Sequence, residues 1–159
     1  MKGKKDVIAR LNGALQEELT AINQYFVHAE MCHNWGYHRL GNYIKKQSIG
    51  EMKHAEEVLE RILFLEGLPT MQPLPLTIGQ DVRSQIEKDL ALEVKAVGMY
   101  NASVKTAREA GDNGSRELFE RLLKDEEEHV DFLEAQLHLI DELGYERYLA
   151  QQLEGGEAK

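Results

Sequence analysis

Cysteine is almost absent from this sequence, since Cys32 is the only one in 159 residues. A single thiol excludes an internal disulfide, so we expect a reducing compartment such as the cytoplasm. Long apolar runs are also absent, and no stretch approaches the roughly 18 residues needed to cross a membrane. The first residues, Met1 to Asp6, lack the apolar core of a signal peptide. We therefore expect no membrane partner.

Proline is rare and confined to one place. All three prolines lie between Pro69 and Gly79, a segment with few charges and no helical periodicity. A connection this long is unusual in a compact domain unless it crosses from one end of a helical bundle to the other. Positive charge is scarce too, because 19 basic residues face 28 acidic ones and the net charge is −9. This balance argues against nucleic acid as a partner and favours cations at an acidic surface.

Helical periodicity covers most of the chain, and no β pattern is present. We expect one domain over 1–159, with helices at about 6–34, 37–66, 80–110, 115–143 and 145–153. Gly67-Leu68-Pro69 is a helix-ending signal, and Ser115 is a suitable N-cap for the fourth helix. The tail from Glu154 to Lys159 is expected to be frayed. The pattern predicts an all-α fold of two αα hairpins joined by the long crossover.

Three of the six histidines follow a glutamate by three positions: Glu30–His33, Glu51–His54 and Glu126–His129. On a helix, such a pair lies on one face, where a carboxylate and an imidazole can hold one metal ion. The spacing alone is weak evidence, because about one such pair is expected by chance at this glutamate content.

An internal repeat separates the two candidate metal-binding pairs from the Glu30–His33 pair, which we call the decoy. The two later pairs are 75 residues apart, and the same offset relates Glu18 to Glu93 and Tyr25 to Tyr100. The matching positions of the first helix share one face. The Glu30–His33 pair instead corresponds to two basic residues. The chain is therefore two related hairpins, each supplying one glutamate from its first helix and Glu-x-x-His from its second.

Six residues thus form one candidate cluster: Glu18, Glu51, His54, Glu93, Glu126 and His129. This is the known ligand pattern of ferritin-like dimetal proteins, so we expect a ferritin-like four-helix bundle with a short fifth helix. Carboxylates inside a bundle would each cost on the order of several kcal/mol if charged and unpaired. Two divalent cations balance four of them when the histidines are neutral. The alternative, solvated surface charges, requires these glutamates to point away from the apolar stripes on which they are centred.

Oxygen and imidazole ligands suit iron or manganese, and the lack of thiolates argues against an iron–sulfur or structural zinc site. Two irons about 3.5–4 Å apart can together supply two electrons to one O₂. The glutamates of the two Glu-x-x-His pairs are the expected bridges, and the other two are the expected terminal ligands. Tyr25 and Tyr100 either hydrogen-bond around these ligands or pack in the core.

The chain resembles the bacterioferritins over nearly its whole length, from Met1 to Leu149. The resemblance lies in Glu18-Leu-Thr-Ala-Ile-Asn-Gln-Tyr25, Glu51-Met-Lys-His54, Arg61-Ile-Leu-Phe-Leu-Glu-Gly-Leu-Pro69 and Asp125-Glu-Glu-Glu-His129. It implies an iron-storage ferroxidase that oxidises Fe²⁺ with O₂ or H₂O₂, with two iron ions per subunit held by the six clustered residues. It also implies a homo-oligomeric shell of twenty-four subunits built from dimers, and a ferredoxin that reduces the stored iron.

Met52 is rotated about 100° from the metal-facing stripe, towards the outside of the bundle. Its repeat mate is Glu127, a polar residue, as expected for an outward position. Such a methionine ordinarily fills a gap in an interface. The resemblance instead implies that Met52 from each of two subunits ligates one shared haem b. It also implies that the short helix after Gly144 lines a symmetry axis of the shell.

The apolar stripe of the first helix is widened on one side by Ile8, Leu19 and Phe26. This edge is either part of a broad core face or, as we expect, a second contact surface.

Some bacterioferritins carry an extra inner-surface iron site, formed by a histidine and an aspartate. Here those positions are Lys46 and Gly50, so that site is not expected, and the crossover is one residue shorter than usual.

Other functions fit the same residues. The chain could be a haem-free ferritin, another di-metal oxidase or peroxide scavenger, or an assembly protein with structural glutamates and histidines. Rubrerythrins usually add a cysteine-rich module, dimanganese catalases are larger, and miniferritins place their metal between subunits. Stoichiometric iron oxidation with the product kept in solution separates an iron-storage protein from the other di-metal enzymes and from the assembly protein.

Overall fold

The computed structural model describes residues 1–154 as an all-helical fold with no strand in that range. Its helices are α1 (Lys5–Asn34), α2 (His38–Phe64), α3 (Val82–Glu109), α4 (Asn113–Leu143) and α5 (Tyr145–Ala150). The predicted bundle of two hairpins with a short fifth helix is confirmed. None of these helices has both the length and the apolarity of a membrane span. Most of the tail expected to be frayed, residues 155–159, lies outside the described residues.

Two apolar clusters are stacked along the bundle axis. The first contains Val7, Leu11, Ala14, Leu15, Ala55, Val58, Ile62, Leu65, Tyr100, Ala107, Leu118, Phe119 and Leu122. The second contains Ala21, Tyr25, Ala29, Cys32, Leu40, Ile44, Val82, Ile86, Leu133, Ile140 and Tyr148. Every long helix contributes to both clusters. The glutamates predicted to bind metal fall between them in sequence on each helix, so apolar packing closes the polar layer from above and below.

The end of α2 lies two residues before the predicted boundary. Glu66 has the left-handed backbone conformation that stops the helix, with φ at 59°. The amide of Gly67 donates to the carbonyl of Ile62 at 2.9 Å, and that of Glu66 donates to Leu63 at 3.0 Å, which is a Schellman arrangement. Gly67 is required for packing, because a Cβ there would lie 2.8 Å from Cγ2 of Ile8. The predicted signal therefore lies at the end of the helix, but Glu66 and not Gly67 takes the left-handed conformation, and Gly67 is needed for close packing.

The N-cap of α4 is Asp112, so the prediction of Ser115 as the cap is wrong. The Asp112 carboxylate accepts hydrogen bonds from the Ser115 amide at 2.9 Å and from its hydroxyl at 2.8 Å. Arg61 of α2 donates to the same aspartate at 2.7 Å and to the Ser115 hydroxyl at 2.9 Å. Aspartate caps a helix as well as serine does, and its charge also favours the helix N-terminus. These contacts attach the start of α4 to the end of α2.

The crossover, residues 65–81, runs along α1 in the same direction and so makes α3 antiparallel to α1. Four α1 side chains hold its backbone: Asn12 contacts Leu68 and Thr70, Thr20 contacts Leu74, Gln24 contacts Thr77, and His28 contacts Gly79. These anchors extend over about 24 Å of helix. The predicted end-to-end crossover is therefore confirmed, and α1 is the surface on which it lies.

The short helix α5 packs at the end of the bundle where α1 meets α2. Tyr148 is buried, and its hydroxyl donates to Gln136 of α4 at 2.7 Å. The amide of Arg39 donates to the carbonyl of Gln152 at 3.0 Å. Gly144, with φ at 86°, makes the reversal between α4 and α5. The helix ends at Ala150, earlier than predicted, because the chain after it forms turns.

Candidate metal centre

The six predicted ligand residues meet in the middle of the bundle. They form two groups, Glu18–Glu51–His54–Glu126 and Glu51–Glu93–Glu126–His129, and the possible ligand atoms within each group lie within 4.8 Å of one another. The groups have Glu51 and Glu126 in common, which we call the shared glutamates. Glu18 and Glu93 each belong to one group and are called the unshared glutamates. This layout offers two adjacent metal positions with two carboxylates between them.

Both histidines point Nδ1 into the cluster. His54 Nδ1 lies 3.1 Å from Glu51 Oε2 and 3.2 Å from Glu126 Oε1. His129 Nδ1 lies 2.9 Å from Glu51 Oε1 and 3.0 Å from Glu126 Oε2. Each shared glutamate therefore directs one oxygen to each histidine, as a carboxylate that bridges two metals would do. Each unshared glutamate faces only the histidine of its own group, at 3.6 Å for Glu18 and 3.4 Å for Glu93.

The two tyrosines contact ligand carboxylates across the bundle. The Tyr25 hydroxyl donates to Glu93, and the Tyr100 hydroxyl donates to Glu18. A residue seven positions along the same helix is about 10 Å away, so neither tyrosine can reach the glutamate of its own helix. The antiparallel packing of α1 and α3 instead brings each tyrosine to the other helix. Each tyrosine ring is also a member of an apolar core cluster, so these residues combine core packing with a hydrogen bond to a candidate ligand.

Protons balance the charge of the metal-free centre. Burial raises the pKa of both unshared glutamates, helped by the charge of Glu51 for Glu18 and by contact with Glu126 for Glu93. Although burial opposes ionisation of the shared glutamates, contacts with a neighbouring carboxyl and with both histidines lower the pKa of each. For the histidines, hydrogen bonds to the glutamates outweigh burial and raise the pKa. These directions favour ionised shared glutamates beside protonated histidines when no metal is bound.

Two buried oxygens indicate that cations fit this site. Glu18 Oε2 accepts no hydrogen bond from the described residues, and the 2.9 Å contact of Glu51 Oε1 with Nδ1 of His129 is too poorly aligned to be one. Buried acceptors without donors are costly, and a metal ion can satisfy them. Two divalent ions would replace the protons and balance the four carboxylates. The donor set of oxygen and imidazole nitrogen suits iron or manganese.

Sequence reasoning missed Asp125, which contacts the centre from α4. Its Oδ2 lies 3.1 Å from Nε2 of His54, the nitrogen that faces away from the cluster. A histidine that binds a metal usually has such a carboxylate or carbonyl at its other nitrogen. That rule could have prompted a search for a partner. Which carboxylate serves depends on how α2 packs against α4, and the spacing within one helix cannot reveal it.

A second buried polar group was also missed. Asp89, one turn before Glu93, accepts a hydrogen bond from Gln24 at 2.9 Å, and its Oδ1 lies 2.9 Å from Nδ1 of His28. His28 also holds the crossover, so this group joins α1, α3 and residue 79. The repeat mate of Asp89 is Ala14, so the repeat carries no signal for it. The group makes the surroundings of the two tyrosines unequal.

The decoy pair lies elsewhere, as the repeat predicts. His33 Nδ1 is 3.2 Å from His38 Nδ1 at the turn between α1 and α2, and Glu30 is exposed. Neither residue belongs to the two groups around the shared glutamates.

Comparison with known proteins agrees with this geometry. The model of the ferritin-like domain family matches residues 8–143. BfrA, a bacterioferritin of Mycobacterium tuberculosis, is 47% identical over 152 residues, covering 95% of this chain and 96% of its own length. A bacterioferritin of Rhodobacter capsulatus is 48% identical over 145 residues, covering 91% and 90%. The solved structure of Mycobacterium tuberculosis BfrA superposes with a TM-score of 0.95 at 46% identity, covering 97% of this chain and 98% of that one.

The fold therefore defines a ferritin-like protein, and its buried carboxylate–histidine cluster fits the binding of two metal ions. Within that class, the identity over almost the whole chain shows that it belongs to the bacterioferritin family.

Metal binding to the apoprotein should release protons and weaken as pH falls. The raised pKa values of the unshared glutamates and the histidines mean that these four groups hold protons that the metals must displace. Calorimetry with Zn²⁺ in buffers of different ionisation enthalpy should detect up to four protons per pair of metals. Affinity that stays constant between about pH 6 and pH 8 would contradict these protonation states.

Proposed function

We propose that this chain oxidises Fe²⁺ at the six-residue centre and stores the product as a mineral inside a protein shell. The observation that carries the proposal is the pair of overlapping ligand groups joined by Glu51 and Glu126. Membership of the bacterioferritin family supports iron storage as the overall role. We further propose that Glu18, Glu51, His54, Glu93, Glu126 and His129 are the ligands of two iron ions per subunit.

The chemistry needs two electrons at one place. Each Fe²⁺ gives up one electron, so two neighbouring ions supply the pair that reduces O₂ to peroxide or H₂O₂ to water. The shared glutamates suit the bridging role, because each presents one oxygen to each side. Tyr25 and Tyr100 would hold the unshared glutamates in place through their hydroxyls. The flanking apolar clusters would limit the access of bulk water.

We also propose that the chain assembles through the outer face of α1 and α2. Ser48 of α2 donates to the carbonyl of Ile22 on α1 at 2.8 Å, which brings the apolar side chains around them together. Phe26 is 56% exposed, Ile49 46% and Met52 55%. Ile8 and Leu19 are partly buried against the core of their own chain, so Phe26 is the open part of the predicted edge. A patch of this kind fits an isologous dimer, the unit from which the twenty-four-subunit shell would be built.

Haem b fits the same face. Met52 offers a thioether there, and Phe26 and Ile49 offer apolar surface for a macrocycle. An isologous contact presents the same residue twice, so one Met52 from each subunit would ligate a single haem. A bound haem would supply a one-electron carrier between an external reductant and the stored iron. We propose a ferredoxin as that reductant and the cytoplasm as the compartment.

A haem-free ferritin, or another di-metal oxidase or peroxide scavenger without storage, is the second candidate. It shares the centre but lacks the haem or the mineral. Retention of oxidised iron in solution and the visible spectrum of the purified protein separate it from the main proposal.

The apoprotein given Fe²⁺ in air should oxidise about two irons per subunit in a fast phase, one for each ligand group. Glu51→Ala and His129→Ala should slow this phase at least about tenfold, because each removes a ligand. Both variants should stay folded by circular dichroism, since the two apolar clusters that flank the centre are unchanged in each. The exposed residues Glu56 and His138 give matched controls, Glu56→Ala and His138→Ala. Unchanged fast oxidation in Glu51→Ala and His129→Ala would remove the site assignment.

Sedimentation should show a particle far larger than the 18.2 kDa chain. Phe26→Glu should shift it towards smaller species, because an unpaired charge would be buried in the dimer contact. Phe26→Leu, which keeps the surface apolar, is the control and should assemble normally. A monodisperse wild-type monomer at micromolar concentration would contradict the assembly.

Haem should bind at one per two subunits, and Met52→Leu should abolish it while preserving the shell and ferroxidation. Leucine is close to methionine in volume, so only the ligand atom is lost. The visible spectrum at matched protein concentration is the measurement. Haem retained with an unchanged spectrum would show that another residue is the ligand, and His28, His33 and His38 are the next to test. Of these three, His28 is fully buried and accepts a hydrogen bond from the Gly79 amide.

A further inference from the structure

We propose that the two positions bind their metal ions with unequal affinity and that the Glu18–His54 position is the tighter. The reason is that, among the described residues, a carboxylate contacts the outward-facing Nε2 of only one of the two histidines. The inference rests on the proposed function, since it concerns the same centre. It adds Asp125 as a positioning residue and assigns a consequence to Gly50.

Asp125 holds His54 in the orientation that a metal ligand needs. Nδ1 of His54 faces the cluster, and its Nε2 lies 3.1 Å from Oδ2 of Asp125. A carboxylate at Nε2 favours the tautomer with its hydrogen there, which leaves the Nδ1 lone pair for the metal. The same contact makes Nδ1 a better donor and restricts rotation of the ring. His54 therefore enters the centre already aligned.

The internal repeat shows what is missing on the other side. Subtracting 75 from 125 gives 50, so the residue related to Asp125 is Gly50 on α2. Asp125 of α4 contacts the histidine of α2, and the related contact would run from position 50 to His129 of α4. Glycine has no side chain to make it. Among the described residues, the ion-pair and hydrogen-bond contacts of His129 all involve Nδ1, and a Cβ built at Gly50 would meet no atom within 4 Å.

His129 also has more freedom than His54. Its side chain is 18% exposed, against 10% for His54. A small cavity of about 10 Å³, enough for about one water molecule, also lies against His129 and is lined by Tyr43, Gln47 and Phe132 among others, whereas His54 does not line it. Among the described residues, no carboxylate contacts Nε2 of His129, the nitrogen through which Asp125 holds the ring of His54. A metal at the Glu93–His129 position must fix this ring on binding, which lowers its affinity.

The expected difference in metal affinity follows from what a carboxylate partner such as Asp125 contributes to a ligating histidine. Loss of a residue that orients a ligating histidine typically lowers metal affinity about 10- to 100-fold. The two positions have otherwise equivalent protein donors, one unshared glutamate, one histidine and the shared pair. We therefore expect the two dissociation constants to differ by about the same factor.

Titration of the apoprotein with Zn²⁺ by calorimetry, and with Co²⁺ by visible absorption, tests this inference. Neither ion is oxidised by air under these conditions, so binding is measured without turnover. The wild-type protein should show two separate steps per subunit. Asp125→Ala should weaken the tight step about 10- to 100-fold and change its Co²⁺ spectrum. Asp131→Ala removes an exposed aspartate of the same helix and is the control for surface charge.

Gly50→Asp is the decisive variant, because it should strengthen the weak step by a similar factor and bring the two steps together. The open space at Gly50 accepts the side chain, and Gly50→Ala controls for added bulk and helix propensity. A gain of affinity confined to one step would not follow from a purely structural role. Two equal steps in the wild type, or unequal steps that respond to neither Asp125→Ala nor Gly50→Asp, would overturn this inference alone. Failure of the wild type to bind either ion would contradict the proposed function as well.

Discussion

The burial of four carboxylates and two imidazoles between apolar clusters is the constraint on which the rest of this structure depends. Such a group is tolerable only when its charge is balanced inside the bundle. Without metal, protons on the unshared glutamates and on the histidines achieve that balance. With two divalent cations, the carboxylates can all ionise. The cluster can therefore be charge-balanced with protons or with the two metal ions proposed above, so both forms are compatible with the same fold.

The scaffold keeps this layer in place from both sides. Apolar residues of every long helix pack above and below it, and the crossover is held to α1 by side chains from Asn12 to His28. Asp112 and Arg61 join the start of α4 to the end of α2. Because α2 and α4 carry both Glu-x-x-His pairs, these contacts govern how closely the two metal positions approach.

The two halves of the centre are related but not identical. The repeat preserves the ligands and the tyrosines, while Asp125 corresponds to Gly50 and Asp89 corresponds to Ala14. A dimetal centre that takes up and passes on iron must hold its ions firmly enough for oxidation and loosely enough for release. The unequal affinities proposed above would allow one position to serve each need. Phe26 of α1 and Met52 of α2 are exposed on the outer side of the bundle and remain available for contact with a second subunit.

Helix geometry explains which features were predictable from the sequence. The period of 3.6 residues places Glu51 beside His54 and Glu126 beside His129, and it turns Met52 outward. The 75-residue repeat then identifies Glu18 and Glu93. The six clustered residues and the helical hairpins therefore follow from helical spacing and from the repeat. The contact of Arg61 with the Asp112 cap, and the closeness of Ile8 to Gly67, join segments that are far apart in the sequence. Asp125 reaches His54, Tyr25 reaches Glu93 and Tyr100 reaches Glu18 only through packing between helices. Contacts within a helix are set by the distance along the chain, whereas contacts between helices depend on rotation and offset that only the packed structure determines.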